Sequence, residues 1–392
     1  MARICQMSHV EATFNFLAPL IHHLAGEGHE VVVACAMDEE GKGLRRHLGP
    51  AGYETLAVPL SRRLRPGLLG ADLATLTGAL RRGGFDILHL HGPLPGVQGR
   101  LAAHQARIPL VIHQAHGFWF HAAMPLWQRG PATVLEWVLG RCCTDRLVVV
   151  NREDEALARR WRFRPRPEEI LRVPGVGVDT RRFRPPDAED RAARAALGLP
   201  PQGRLVAFVG RVVREKGLRE LVEALEILFE HHPDLHLIVM GEALPSDRDR
   251  DTSRWLRRRS LLRPGRIHLL GRRHDVDRVL RAVDLFCLPT HREGMPVALL
   301  EAMASGLPCV ATDVRGAREA LGSPPAGLLV PARNPAALAR ALDRLLEDPA
   351  TSRRLGLQAR ERVQREYCVE AALAPLADLY RDLLPASAST SS

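Results

Sequence analysis

The chain has 392 residues, 46% of them hydrophobic and 26% charged, and a formal net charge of +10 at neutral pH. That length exceeds one comfortable core, so two domains or one large one are expected, and the composition excludes a fibrous or wholly disordered chain. The opening MARICQMSHV lacks the basic start and long apolar run of a secretory signal, and no stretch reaches the roughly 18 apolar residues of a membrane span, so a cytoplasmic location is expected.

The positive charge has two readings. It reflects arginine-rich composition alone, or it attracts phosphate-bearing substrates and an anionic membrane surface through Arg45, Arg46, Arg62, Arg63, Arg65, Arg81 and Arg82. Nucleic acid is not expected, because aromatic residues make up 5% and no recognised binding pattern accompanies the charge. Seven cysteines and 17 histidines show neither CxxC nor HExxH spacing, so no metal is expected and the cysteines read as reduced thiols.

In chain order, RICQMS, FNFLAPLIHHLAGEG and HEVVVACA read as strand, helix and strand, with Gly26 and Gly28 ending the helix. ETLAVPL, LATLTGALRR, FDILHLHG, GRLAAHQAR and PLVIHQAHG continue the alternation, and DRLVVVN is a further buried strand before REDEALARR. The pattern restarts at GRLVAFVGRV and runs through GLRELVEALEILFEHH, DLHLIVMGE, IHLLGRR, DVDRVLRAVD, LFCLPT, PVALLEAMASG, PCVATD and AALARALDRLLED. Strand and helix in turn predict a parallel sheet covered on both faces. The expected fold class is therefore α/β, with two Rossmann-like doubly wound parallel-sheet domains facing a central cleft. The boundaries read as 1–175 for the first domain, 176–203 for a linker and 204–369 for the second. A helix at about 370–385 is expected to pack back on the first domain, and 386–392 reads as a disordered tail.

In open α/β sheets ligands bind beyond the carboxyl ends of strands, which directs attention to PTHREGMPVALLEAMASGLPCVATD after the strand LFCL. Glu293 falls in the loop, Pro296 suits the first turn of the next helix, and Glu301 falls about 1.5 turns along it. The N–H groups around Gly294, Met295 and Val297 form a site for phosphate oxygens. Two carboxylates flanking such a site suit a ligand with hydroxyls on both sides of a diphosphate, as in a nucleotide-sugar. By spacing alone, a turn-capping Glu293 and a surface-paired Glu301 remain an alternative.

The segment EGMPVALLEAMASGLPCVATDVRGAREAL, with Glu293 and Glu301, resembles the retaining glycosyltransferases of family 4, which have the GT-B fold. The resemblance implies that Glu293 meets donor-sugar hydroxyls and Glu301 holds the nucleotide ribose. FVGRVVREKGLRELVEAL is similar to the family segment whose Arg and Lys, here Arg211 and Lys216, neutralise the diphosphate, with Gly241 and Gly271 carried into the donor site. QAHGFWF resembles the family's histidine loop, which implies that His116 approaches the transferred sugar; His113 and His121 are nearby competitors.

The likeness spans nearly the whole chain and is closest to the capsular, exopolysaccharide and glycan-lipid subgroup. Two places depart from it. SHVEATFNF stands where many relatives carry a Gly-Gly-x-x-Arg loop, and VMGEALPSDRD stands where relatives often have a Gly-x-Gly turn.

The resemblance thus implies metal-free, cofactor-free retaining transfer from a nucleoside-diphosphate sugar, UDP being the commonest carrier, to a glycan or lipid-linked acceptor. A nucleotide-sugar epimerase, a phosphorylase or a transferase acting on a small natural product are alternatives on the same fold. A dinucleotide oxidoreductase is disfavoured by the missing GxGxxG. Phe118, Trp119, Phe120 and Trp127 read either as core or as a lipid-facing loop beside the acceptor, with the second reading preferred.

Overall fold

The computed structural model describes residues 1–9, 11–36, 48, 52–60, 70–120, 124–244, 247 and 249–384. The expected disordered tail, His121, and Arg45, Arg46, Arg62, Arg63 and Arg65 lie outside the described residues. The chain divides into two compact units, Met1–Gly177 with the segment from Glu370 onward, and Val178–Val369.

The first unit is built on a seven-stranded sheet of order β3-β2-β1-β4-β5-β6-β7. Its strands are β1 (Arg3–Ser8), β2 (Glu30–Cys35), β3 (Glu54–Ala57), β4 (Ile87–His91), β5 (Leu110–Ala115), β6 (Arg146–Val149) and β7 (Ile170–Arg172). Every pairing is parallel. The cause lies in sequence: β2 is a nearly continuous apolar, β-branched run and β4 sets Ile87, Leu88 and Leu90 beside two histidines, and both are buried on both faces, as a helix-covered parallel sheet requires. The helix Phe14–Gly26 stops as the glycines dictate, with Gly28 at φ +85°. The C-terminal helix Val369–Leu383 places Tyr380 in this unit, where its hydroxyl meets Gln6 of β1 and His89 of β4.

The second unit repeats the plan with a six-stranded parallel sheet of order β10-β9-β8-β11-β12-β13. Its strands are β8 (Arg204–Val209), β9 (Leu235–Met240), β10 (Ile267–Gly271), β11 (Leu285–Leu288), β12 (Cys309–Thr312) and β13 (Leu328–Val330). The helix Leu218–Leu228 buries Leu218, Leu221, Val222, Leu225 and Leu228, the 3.6-residue stripe visible in GLRELVEALEILFEHH. Residues expected as linker pack here: Val178, Phe183, Leu197 and Leu199 join the core. Arg194 fixes that segment by donating to the carbonyls of Ala282 and Gly203 and to Asp284 at 2.8–2.9 Å.

Strand order reverses between β1 and β4 in the first sheet and between β8 and β11 in the second. At such a switch point the following loops splay to opposite faces and leave a crevice at the strand ends. The loops after β8 and β11 carry Arg211, Lys216 and Glu293.

Candidate active site

In the second unit, chain geometry first fixes two loops against each other. Gly217, at φ +72°, lies so close to Pro289 that a Cβ would stand 1.8 Å from its carbonyl oxygen, so only glycine fits this approach. His291 N–H donates to the Glu215 carbonyl at 2.8 Å, and Thr290 Oγ1 donates to the same oxygen at 3.1 Å. The Thr312 hydroxyl at the end of β12 donates in turn to the Thr290 carbonyl. This stitching brings the Lys216 ammonium into an ion pair with the Glu293 carboxylate, both largely buried.

Arg211 points elsewhere. Its guanidinium pairs with Asp247 and, at 2.8 Å, with Glu215. Asp247 is itself held by the Leu244 N–H at 2.8 Å. Both expected phosphate-binding cations are thus preset by carboxylates, which orients them before any ligand arrives.

The helix begins at Val297, one residue later than the first-turn placement expected for Pro296: Pro296 is the N-cap, at ψ 97°. Its extended backbone aims the chain into the helix, and the carbonyl of Pro296 accepts from Leu299 and Leu300 N–H at 3.1 Å. The Val297 and Ala298 N–H groups, first in the helix, have no intrahelical acceptor and add the positive end of the helix dipole. Gly294 and Met295 lead into this turn, and Gly316 backs them: a Cβ there would stand 2.7 Å from the Gly294 carbonyl oxygen.

Glu301 is half-buried on that helix, and among the described residues its carboxylate has no hydrogen-bond partner. Burial pushes its carboxyl up to about 7, opposed by Arg182 and reinforced by Asp277. An acceptor raised this way, with no partner of its own, suits hydroxyl donors from a ligand.

Gly210, Gly241 and Gly271 line up at the ends of β8, β9 and β10. Gly210 N–H donates to Met240 O at 3.0 Å and Gly241 N–H to Gly271 O at 2.7 Å. A Cβ on Gly241, at φ +127°, would lie 2.0 Å from the Gly210 oxygen. Gly210 and Gly241 thus give a floor of bare backbone beneath a cavity of about 220 Å³ that Arg211, Glu242 and Arg273 also line, while Gly271 borders a neighbouring cavity.

In the first unit, His116 follows β5 and stands in a hydrogen-bonded chain that sequence reading did not pick out. Tyr380 OH accepts from Gln6 Nε2 at 2.7 Å and lies 2.9 Å from His89 Nδ1; His91 Nε2 lies 2.8 Å from Gln6 Oε1. His91 Nδ1 in turn lies 3.2 Å from His116 Nε2. Gln6 Oε1 can only accept, so it assigns the proton to His91 Nε2, which leaves His91 Nδ1 to accept from His116 Nε2–H. His116 therefore keeps its lone pair on Nδ1. Burial, helped by the His113 ring, holds His116 down at about 4, and burial likewise lowers His89 to about 3. These rings are neutral at pH 7.

The competitor His113 is fully buried at 3.4 Å from Glu136, whose carboxylate is clamped by both Arg100 nitrogens at 2.8 Å. The preferred reading of the aromatic loop is corrected at two positions. Phe118 and Phe120 are buried, stack on each other at 5.2 Å and meet Phe163 edge-on. Packing against Phe163, which no local pattern announces, takes them into the core.

Among the described residues, one group of metal-capable side chains comes together: His232, Asp343 and Glu347. Arg204 flanks it, with a guanidinium nitrogen 2.7 Å from His232 Nδ1 and another 3.8 Å from Glu347.

A family model described as "Glycosyl transferases group 1" matches residues 189–362, and one described as "Glycosyl transferase 4-like domain" matches residues 15–176. A D-inositol 3-phosphate glycosyltransferase of Streptomyces bingchenggensis is 32% identical over 87% of this chain and 76% of its own length. The chain belongs to the family 4 glycosyltransferases. This family 4 chain is also 28% identical, over 80% of its length and 79% of the other's, to the UDP-Gal:alpha-D-GlcNAc-diphosphoundecaprenol alpha-1,3-galactosyltransferase of Escherichia coli. The crystal structure of Anabaena Alr3699/HepE in complex with UDP-glucose superposes with a TM-score of 0.78 at 17% identity, covering 97% of this chain and 100% of that one. That likeness shows the fold, two parallel-sheet α/β units of the GT-B class. The protein is a glycosyltransferase enzyme.

Proposed function

We propose that this glycosyltransferase moves a sugar, with retention at the anomeric carbon, from a UDP-sugar to a glycan or lipid-linked acceptor during cell-surface glycoconjugate assembly. The observation that carries the donor half is the Lys216–Glu293 pair beside the N-terminus of the Val297–Ala304 helix. A diphosphate arriving there replaces Glu293 as the partner of Lys216 and gains the Val297 and Ala298 N–H groups. The freed Glu293 carboxylate then accepts from sugar hydroxyls, while Glu301 accepts from the ribose. Arg211 turns from Asp247 to the phosphates, and the glycine floor of Gly210 and Gly241 admits a flat base.

As the glycosidic bond breaks, negative charge grows on the departing diphosphate, and preset cations stabilise it without reorganisation. Leaving group and acceptor use one face of the sugar, and Glu293, tied up in hydroxyl binding, makes no covalent intermediate. Neutral His116 accepts a hydrogen bond from a sugar hydroxyl through Nδ1. No metal takes part. The donor and lipid acceptor named for the Escherichia coli relative support UDP and a lipid-linked acceptor. No helix among the described residues is long and apolar enough to cross a membrane, and we place the enzyme on the cytoplasmic side, peripheral to an anionic membrane.

The test is a UDP-sugar panel monitored by UDP release, with and without cell lipid extract. Release that rises at least tenfold with extract supports transfer to a lipid-linked acceptor; an acceptor-independent conversion of the sugar would identify an epimerase.

A further inference from the structure

The helix Leu126–Cys142 of the first unit is turned inside out relative to a surface helix. Its inward face carries Glu136, buried against Arg100, together with Ala132, Leu139 and Gly140. Its outward half carries Leu126, Trp127, Val134, Leu135, Trp137 and Val138, all exposed, with Trp127 at 74% and Val134 at 60%. At 100° per residue, Trp127, Val134 and Val138 fall within a narrow arc, with Trp137 and Leu135 on its two flanks. Arg141 is the one charged residue on this outward half. A helix that spends its solvent face on tryptophan and valine has another medium to face.

The surroundings identify that medium. Arg141 lies over the Trp137 ring at 5.0 Å and donates to the Arg162 carbonyl at 3.2 Å. That contact brings the exposed turn of Arg160, Trp161 and Arg162 beside the end of the helix, with Trp161 52% exposed. The patch is thus apolar in the middle, with tryptophan toward both ends and arginine at one rim. Tryptophan and arginine belong at the boundary of hydrocarbon and headgroups, where a ring is half in apolar surroundings and a guanidinium meets phosphate.

We infer that the outward face of the Leu126–Cys142 helix, with the Trp161 turn, docks this enzyme on an anionic lipid bilayer, the helix lying in the plane of the surface. A second copy of the chain fits less well. The stripe is about 25 Å long and roughly 10 Å across by helix geometry, so pairing two such stripes buries on the order of 500 Å². A specific interface needs about 1,000 Å² or more. Like-charged arginine rims would also face each other. A bilayer has no such size requirement, and its phosphates complement the rim. The inference names the surface behind the membrane location proposed above and rests on that location.

The experiment compares wild-type protein with a Trp127→Gln, Val134→Gln, Val138→Gln triple variant in co-sedimentation with phosphatidylcholine vesicles, with and without phosphatidylglycerol. All three positions are exposed, and equal thermal melting verifies the fold. Wild type is expected to pellet with phosphatidylglycerol vesicles, and the triple variant to need about tenfold more lipid or worse, as lost interfacial burial dictates. Trp127→Phe alone should retain most of the binding. Equal binding of the triple variant overturns the assigned surface while leaving the membrane location standing. Failure of wild type to bind any vesicle overturns both. A wild-type dimer that the triple variant converts to monomer, with no vesicle binding in either, hands the face to a second copy and also overturns the inference.

Discussion

The ammonium of Lys216 and the carboxylate of Glu293 form an ion pair between the loops that follow β8 and β11, the two strands flanking the switch point of the second sheet. Each group neutralises the other until a ligand that is anionic on one side and hydroxylated on the other separates them. UDP supplies only the anion. Glu293→Gln is therefore expected to leave UDP binding equal or several-fold tighter, because Lys216 no longer has a competing carboxylate. Lys216→Ala should weaken UDP by about tenfold or more, as expected for losing a charge-assisted contact. Calorimetric titration with UDP checks both signs.

Glu301 is expected to make donor binding depend on pH. Its carboxyl is raised from 4.5 to about 7 by burial, so its better acceptor form, the carboxylate, fades as pH falls through 7. Donor affinity should weaken several-fold between pH 8 and pH 6, and Glu301→Gln should flatten that profile. Stability changes the other way. A raised carboxyl means the folded state holds more protons than the unfolded one between about 4.5 and 7, so this group's contribution falls as pH rises through that window. Glu301→Gln should then raise Tm at pH 8 by about 2–4 °C, corresponding to roughly 1 kcal/mol for a unit of this size, and by little at pH 5. Melting curves at the two pH values decide it.

Gln6 positions His116 through His91. Gln6→Leu removes the acceptor that fixes the His91 tautomer and leaves a buried imidazole N–H unsatisfied, a loss of roughly 1–3 kcal/mol. Turnover is expected to fall about tenfold or more with little change in donor affinity. Gln6→Glu retains an acceptor and should recover part of the rate, while drawing a proton onto the ring pair and moving the acid limb of the pH profile upward. An unchanged pH profile in Gln6→Glu contradicts the relay.

Arg211 is held by two carboxylates, and its planar fork can exchange one of them for a phosphate without leaving the other. Arg211→Lys keeps the charge and loses the fork, so it should cost about tenfold or more in kcat/KM with UDP-sugar. Steady-state kinetics of that variant beside Asp247→Asn separates charge from geometry, since Asp247→Asn loosens Arg211 and should raise KM.

Much of this was legible in the sequence because it is local. Alternating apolar runs and amphipathic stretches announced two parallel sheets, and LFCL followed by Glu293 and Glu301 placed the candidate donor loop at a strand end. What was not legible depends on distant residues meeting. The preset partners of Arg211 sit 4 and 36 residues away, so Asp247 carried no local signal. Gln6 and Tyr380 are 374 positions apart, and no period in either segment indicates that they share a buried bond. A hint existed in LHLH: two histidines on one face of a buried strand must find partners. Phe118 and Phe120 went into the core because Phe163 returns to meet them. Of the helix Leu126–Cys142 only Trp127 stood out, and as part of a loop, because the other apolar residues lie on the side that periodicity assigns to the core.

Glu293 is the residue on which the account turns, and UDP release from the sugar donor with acceptor present reads it most directly. Wild type and Glu293→Gln should be compared at saturating donor and matched thermal stability. The account expects Glu293→Gln to lose about 100-fold in kcat, the scale of removing one group that acts mainly in the transition state, while its UDP affinity stays equal or rises. Turnover within twofold of wild type would contradict it.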